Sequence, residues 1–319
     1  MSFVNSKYNM NGRTLRLGTD CSGLETICIA LQLIKANVIH RWACECEPAL
    51  AAYIKNHYKP ERFYNNIFNR NHSDLPFVDL YVAGFPCISF SGIGKQNGFN
   101  SSTGTIFFEV MKTIQCVKPS YFILENVKSI ITVSKGTVFK TIQEHISKLN
   151  DYNVYYEVLN TQDYGIPQCR PRLYIIGIKK SFQKSFTMIK PIIQLPYINE
   201  FLDKSDVGQR QSLSIRHNKH IDIALQKHNG NQNDDWIITV DNNGSFVNCK
   251  KDITPCITTH CRYYYISSLQ RFLTIKELLL LQGFPNDFHL PLKSKVYTYI
   301  GNAMSCNVLY YILASLFCI

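Results

Sequence analysis

Acidic residues are scarce in this sequence. Asp and Glu number 23 against 34 Lys and Arg, a net charge of +11. A surplus of that size favours a polyanionic partner. Long hydrophobic runs are also missing: the longest, Val308 to Ile319, is too short to span a bilayer, so no membrane association is expected. The first ten residues, MSFVNSKYNM, lack the apolar core of a signal peptide. There is no internal repeat and no low-complexity tract. Paired metal-ligand spacing is absent as well, since Cys44-x-Cys46 and Cys256-x4-Cys261 have no partner pairs, and no zinc or other metal is expected. What is present is a globular balance, 45% hydrophobic and 18% charged, over 319 residues. That length suits one large domain or two ordinary ones. The 12 cysteines are scattered, which reads as free thiols in a reducing, intracellular compartment.

The first half alternates strand-like and helix-like segments. Strands are expected at Thr14–Thr19, Val38–Cys44, Val78–Ala83, Tyr121–Leu124, Val154–Leu159 and Leu173–Ile178. Helices are expected at Leu24–Lys35, Pro48–His57, Thr105–Val117 and Phe139–Leu149, with Pro48 tolerated in a first turn. This rhythm implies an α/β, mostly parallel, doubly wound sheet, whose ligands sit beyond the carboxyl ends of the strands. After about Lys184 the rhythm breaks into a loop-rich stretch of Asn, Asp, Lys and His. Helical signals return at Thr274–Leu281 and Asn302–Leu316. Three parts are therefore expected: a first domain over 1–184, a smaller one over 185–270, and a segment, 271–319, that returns to the first. Residues 184–262 carry 10 Lys and Arg against 8 Asp and Glu, so the positive charge suits a basic cleft better than a basic tail.

Four sites carry chemistry. Cys87, in Gly84-Phe85-Pro86-Cys87, follows an apolar strand, where a thiol reaches the ligand edge of the sheet. Glu125, in Leu124-Glu125-Asn126-Val127, ends another apolar strand and suits a general acid or a hydrogen bond to a polar ring edge. Arg170 and Arg172, in Gln168-Cys169-Arg170-Pro171-Arg172, are placed at i, i+2 to reach one anion or carbonyl together. Gly301-Asn302-Ala303 is read as opening the last helix. Each signal has an ordinary structural reading; their order is the stronger observation.

Pro-Cys, then Glu-Asn-Val, then Gln-x-Arg-x-Arg, then a late Gly-Asn resembles the cytosine-5 DNA methyltransferases, of the compact bacterial restriction-modification type. Leu273-Thr274-Ile275-Lys276-Glu277 and Gln282-Gly283-Phe284-Pro285 look like that family's late scaffold motif. The resemblance covers nearly the whole chain outside residues 185–255. It implies an S-adenosylmethionine-dependent methyltransferase with a Rossmann-like mixed sheet and a smaller target-recognition domain over 185–270. Cys87 is implied to attack carbon 6 of a flipped cytosine, Glu125 to hold N3 and the exocyclic amine, and Arg170, with Arg172 alongside, to hold the base. Residues 92–103 are implied to form a closing loop.

For the cofactor, Gly23 in Asp20-Cys21-Ser22-Gly23-Leu24 suits close backbone approach, and Glu45 suits both ribose hydroxyls. The resemblance adds Cys21, Ser22, Leu24, Cys46, Asn66, Ile67, Pro86, Ile106, Asn302 and Ala303 around it. Several positions depart from the family pattern: Glu25-Thr26 replace glycines, Cys46 an aromatic residue, Asn66 an acid, Ile88 a glutamine and Ala303 a serine. Double-stranded DNA, a cognate restriction endonuclease and a monomeric state are implied. Thr254–Thr259 resembles a stretch near the end of the recognition domain. Arg262-Tyr263-Tyr264-Tyr265 reads either as DNA contacts or as a packed tyrosine-rich strand. A tRNA methyltransferase of the same superfamily is disfavoured, because its Cys-Phe-Thr signature is not found before Leu273. A DNA-binding relative without activity is disfavoured by the intact Cys87, Glu125 and Arg170.

Overall fold

A computed structural model of the chain describes residues 8–86, 105–182, 185–192, 194–204, 213–240, 247–292 and 294–317. Cys87, Ile88 and the expected closing loop lie outside the described residues. By contact the chain forms two compact units. A sheet unit takes Ser6–Leu159, Pro171–Ile189 and Ile312–Ile319; a second unit takes Asn160–Arg170 and Lys190–Tyr311. The border near residue 189 falls close to the expected one. Residues 271–311, however, group with 190–270 rather than with the sheet.

The sheet unit has seven strands: β1 (Thr14–Asp20), β2 (Asn37–Cys44), β3 (Arg62–Tyr64), β4 (Leu80–Gly84), β5 (Tyr121–Val127), β6 (Tyr152–Asn160) and β7 (Pro171–Lys179). Their spatial order is β3-β2-β1-β4-β5-β7-β6. The pairs β1–β2, β1–β4, β2–β3 and β4–β5 are parallel, whereas β5–β7 is antiparallel. The sheet is therefore mixed, as the resemblance implied. Its order reverses beside β1, and at such a switch point the loops leaving the carboxyl ends diverge and leave room for a ligand. Helices α1 (Thr26–Leu33), α2 (Pro48–His57), α3 (Ile106–Val117) and α4 (Thr137–Ile146) intervene. The apolar strand runs are buried among Trp42, Tyr81, Phe107, Phe122, Leu124 and Ile175. Gly177 on β7 makes this packing possible: a Cβ there would lie 1.9 Å from the Phe122 ring.

The second unit holds a four-stranded sheet of β8 (Trp236–Thr239), β9 (Cys249–Lys251), β10 (Tyr264–Ile266) and β11 (Arg271–Phe272), in the order β11-β10-β8-β9 with every pair antiparallel. Helix α5 (Ile215–Lys227) supplies Ile221 and Ala224 to a small core with Trp236, Ile238 and Tyr265. Tyr264 and Tyr265 are buried in β10, and the Tyr264 hydroxyl donates to the Cys256 carbonyl at 2.6 Å. The packed-strand reading thus describes these two tyrosines. Helix α6 (Ile275–Leu281) starts on a capping box between Thr274 and Glu277.

One expectation is corrected. The long helix expected from Asn302 to Leu316 starts four residues later, as α8 (Cys306–Phe317), and Asn302 instead ends a separate helix, α7 (Val296–Asn302). Gly301 and Asn302 close α7, and Ala303 follows in extended conformation, so the three residues do not open the last helix. The break arises because side chains capture the end of α7: Gln282 Nε2 donates to the Ile300 carbonyl at 2.7 Å and Arg170 Nη2 to the Gly301 and Ala303 carbonyls at 3.1 and 2.8 Å.

Candidate active site

The first constellation lies at the carboxyl ends of β4 and β5. Strand β5 is apolar and buried up to Leu124, and pairing with β7 places Val127 opposite Arg172. Glu125 is 9% exposed, and Arg172 Nε lies 3.2 Å from its Oε1. A guanidinium at that distance orients the carboxyl. Asn126, which the sequence reading passed over, is buried; its Nδ2 donates to the Phe85 carbonyl at 2.8 Å and its Oδ1 accepts from the Val127 N–H at 2.9 Å. It fixes Phe85, just past the end of β4 and two residues before Cys87, to the end of β5. Only its place between an acid and a hydrophobe on a strand end could have flagged it.

The two arginines do not act as a pair. Arg170 precedes β7, so the two-residue alternation of a strand does not extend to it. It is 2% exposed, and its Nη1 donates to the Ile257 carbonyl at 2.6 Å in addition to the two carbonyls at the end of α7. Among the described residues, Arg172 is the arginine whose guanidinium meets Glu125. Around Arg170 the second unit is built on motif residues. Gln168 donates to the Leu281 carbonyl and to Gln282 Oε1, and accepts from the Ile257 N–H. Gly301 is needed for close approach, since a Cβ would lie 2.2 Å from the Thr258 backbone. Asn302 and Ala303 also belong to this unit.

The second constellation lies at the carboxyl ends of β1, β2 and β3. Cys21, Gly23 and Glu25 all have positive φ, at 51°, 55° and 53°. The N–H groups of this turn are held internally: Ser22 donates to the Cys44 carbonyl at 3.2 Å and Glu25 to the Ser22 carbonyl at 2.9 Å. Glu45 Oε2 accepts from the Gly23 N–H and Oε1 from the Glu47 N–H, each at 2.9 Å. A carboxylate has further acceptor capacity on each oxygen. Ser22 donates through its hydroxyl to the Cys44 carbonyl at 3.2 Å, and Leu24 is buried. Asn66 Oδ1 accepts from the Phe68 N–H at 2.9 Å and so caps the short turn that begins at the buried Ile67. Burial pushes the Cys21 thiol well up, which suits a packing role rather than a nucleophile. Cys46 is exposed, and Ile106 opens α3. Pro86 ends the described part of the β4 loop.

The departure at Glu25-Thr26 has a structural account. Glu25 turns its carboxyl inward, where Oε1 accepts from the Thr19 hydroxyl at 2.7 Å and lies 3.7 Å from His40 Nε2. Burial pushes this carboxyl up to about 8 and the His40 imidazole down to about 4, so both groups are neutral near pH 7. Two further residues missed from sequence are Asp20 and Arg70, a buried ion pair below the same loops. Among the described residues no group of three or more His, Cys, Asp and Glu could hold a metal.

A seven-stranded mixed sheet with loops of this kind at its carboxyl edge is the fold of the S-adenosylmethionine-dependent methyltransferases. Within that class, the sequence profile of the C-5 cytosine-specific DNA methylases matches residues 21–318, and the chain belongs to that family. It is 32% identical over 250 residues to the Type II methyltransferase M.SsoII of Shigella sonnei, covering 74% of this chain and 63% of that protein. It is 34% identical over 251 residues to M.NgoBI of Neisseria gonorrhoeae, covering 78% and 77%. The fold is similar to that of the Entamoeba histolytica methyltransferase EhMeth, with a TM-score of 0.66 at 18% identity over 96% of this chain and 98% of the other.

Proposed function

We propose that the chain methylates carbon 5 of a cytosine in double-stranded DNA, acting as a monomer inside the cell beside a cognate restriction endonuclease. The observation that carries this reading is the carboxyl edge of β4 and β5, where Glu125 is oriented by Arg172 and Asn126 holds the strand end that leads to Cys87. The residues at the ends of β1 to β3 fit S-adenosylmethionine: a turn at 21–25 in which Gly23 carries no side chain, and a buried carboxylate at Glu45, suit a methionine moiety and a ribose. When bound, that cofactor supplies an electrophilic methyl group.

Glu45 would accept from the ribose hydroxyls, and Gly23 would let the backbone approach the methionine end. Cys21, Ser22, Leu24, Cys46, Asn66, Ile67, Pro86 and Ile106 would complete the surround. The target cytosine would be extruded from the duplex, since both faces of its ring must be reached. Cys87 Sγ adds to carbon 6 and makes carbon 5 nucleophilic. Glu125 binds N3 and the exocyclic amine and stabilises the charge that builds on N3 as the thiolate attacks. Arg172 keeps the Glu125 carboxyl in place. Arg170 holds the backbone of the second unit; residues 185–270 would read the target sequence. After methylation, loss of the carbon-5 proton and elimination of Cys87 restore the aromatic ring and the thiol.

The test is transfer of labelled methyl from S-adenosylmethionine into unmethylated mixed-sequence DNA, with total tRNA in parallel and Cys87→Ser as control. Label in DNA that depends on Cys87 is the expected result. Label in tRNA alone would move the substrate to RNA. No label in either, from folded protein that binds DNA, would refute the catalytic reading.

A further inference from the structure

Asp20 and Arg70 are 50 residues apart and meet in the interior of the sheet unit. Arg70 Nη1 donates to Asp20 Oδ1 at 2.6 Å and Nη2 to Oδ2 at 2.5 Å, with both side chains almost wholly buried. The Tyr81 hydroxyl donates to Asp20 Oδ2 at 2.7 Å. The guanidinium lies 4.9 Å from the Trp42 ring and 5.4 Å from the Tyr64 ring. Its Nη2 also donates to the Thr113 hydroxyl at 2.9 Å, and His72 Nδ1 lies 3.0 Å from the same hydroxyl. His72 Nε2 in turn meets Glu109 Oε2 at 2.8 Å.

The position of these residues along the chain matters more than their number. Asp20 is the last residue of β1 and precedes the turn 21–25. Arg70 ends the short turn that begins at Ile67. Glu109 and Thr113 lie on α3, which Ile106 opens. One polar network thus joins the three segments that contribute Cys21–Leu24, Asn66–Ile67 and Ile106. A buried ion pair stabilises a fold no better than a well-packed apolar pair, because desolvation offsets the attraction. What it supplies is geometry: a bidentate guanidinium–carboxylate pair admits one arrangement of its two backbones.

We propose that the Asp20–Arg70 pair is a positioning element of the methyl-donor site, setting the turn after β1, the turn after β3 and the start of α3 in register with one another. Neither residue touches the donor; both act through the segments they join. The inference rests on the donor-site reading above.

The test uses the full chain and three readouts: the dissociation constant for S-adenosylhomocysteine by calorimetry, the split between KM for S-adenosylmethionine and kcat, and the thermal midpoint. Arg70→Lys keeps the charge and loses the bidentate fork. The double variant Asp20→Leu/Arg70→Met removes both charges and keeps apolar packing against Trp42 and Tyr64. The expected result is at least a tenfold rise in both Kd and KM in each variant, with kcat at saturating donor within twofold of wild type. The rise should persist in the double variant even if its thermal midpoint matches wild type. Wild-type affinity in Arg70→Lys, or in a double variant of normal stability, would overturn the proposal and leave the pair a packing feature. Wild-type protein that does not bind S-adenosylhomocysteine would overturn the donor-site reading, and the inference with it.

Discussion

Replacing Glu25 by glutamine should make the protein more resistant to alkaline pH. The carboxyl is buried, accepts from Thr19 and faces His40, and burial pushes it up to about 8. In an unfolded chain it titrates with an ordinary carboxylate value, 4.5 on the same scale. A group whose folded value is raised binds more protons folded than unfolded between those two values, so its stabilising contribution is complete below 4.5 and is lost as pH rises to about 8. The slope is about 1.4 kcal/mol per pH unit, and between pH 6.5 and 8 the wild type should lose about 2 kcal/mol through this group. The amide of the Glu25→Gln variant is neutral at every pH and stands where the protonated carboxyl stood. His40, pushed down to about 4 by burial, stays neutral in the folded state across this window, so its unfolded-state titration cancels between the two proteins. Urea denaturation of wild type and Glu25→Gln at half-unit steps from pH 6 to 8.5 reads the difference directly. The expected outcome is a stability gap that moves by about 2 kcal/mol in favour of the variant between pH 6.5 and 8. Parallel curves would show that Glu25 is ionised in the folded protein at neutral pH, and that burial does not set its charge.

Three further outcomes follow from the geometry. Arg172→Gln removes the cation 3.2 Å from Glu125 Oε1, and methyl transfer should fall by about tenfold to a hundredfold in kcat, with S-adenosylhomocysteine affinity within twofold by calorimetry. Arg170→Gln leaves buried carbonyls of Ile257, Gly301 and Ala303 without their charged donor; a loss of about 3 kcal/mol, or failure to fold, should appear in thermal unfolding. Gly301→Ala places a methyl 2.2 Å from the Thr258 backbone, which cannot yield as a side-chain tip could; the thermal midpoint should fall by several degrees, whereas alanine in place of Gly23, where the nearest atom is 4.0 Å away, should be set by its φ of 55° alone and cost about 1 kcal/mol.

Most of the sheet unit was legible from local pattern. The apolar runs that lead to Gly84, Glu125 and Lys179 are strands because each is short and buried. Helix α2 lies where Pro48 and the apolar spacing placed it. The ends of strands carry Glu45 and Glu125, and the strand β4 runs to within three residues of Cys87, so their shared edge could be read from sequence order once the sheet was inferred as doubly wound. The family too was legible, because its motifs occur in order over most of the chain.

Tertiary structure decided what depends on residues far apart in sequence. Apolar spacing started the last helix at Asn302 rather than at Cys306; Arg170, 131 residues before Gly301, binds the carbonyl at the end of α7, and no local signal records that. The i, i+2 spacing paired Arg170 with Arg172, but only Arg172 lies on the strand that runs beside Glu125. Glu25 looked like a departure from a glycine-bearing turn until the fold turned its carboxyl inward onto Thr19 and His40. Asp20 and Arg70 carried no signal at all in sequence, because a buried ion pair is defined by where two side chains meet and not by what stands next to either. Periodicity and strand-end chemistry arise from neighbours along the chain, and a sequence contains those. Which carboxylate is neutral, which guanidinium orients an acid and which one meets a helix end depend on desolvation and on partners up to 131 residues away, and folding supplies both.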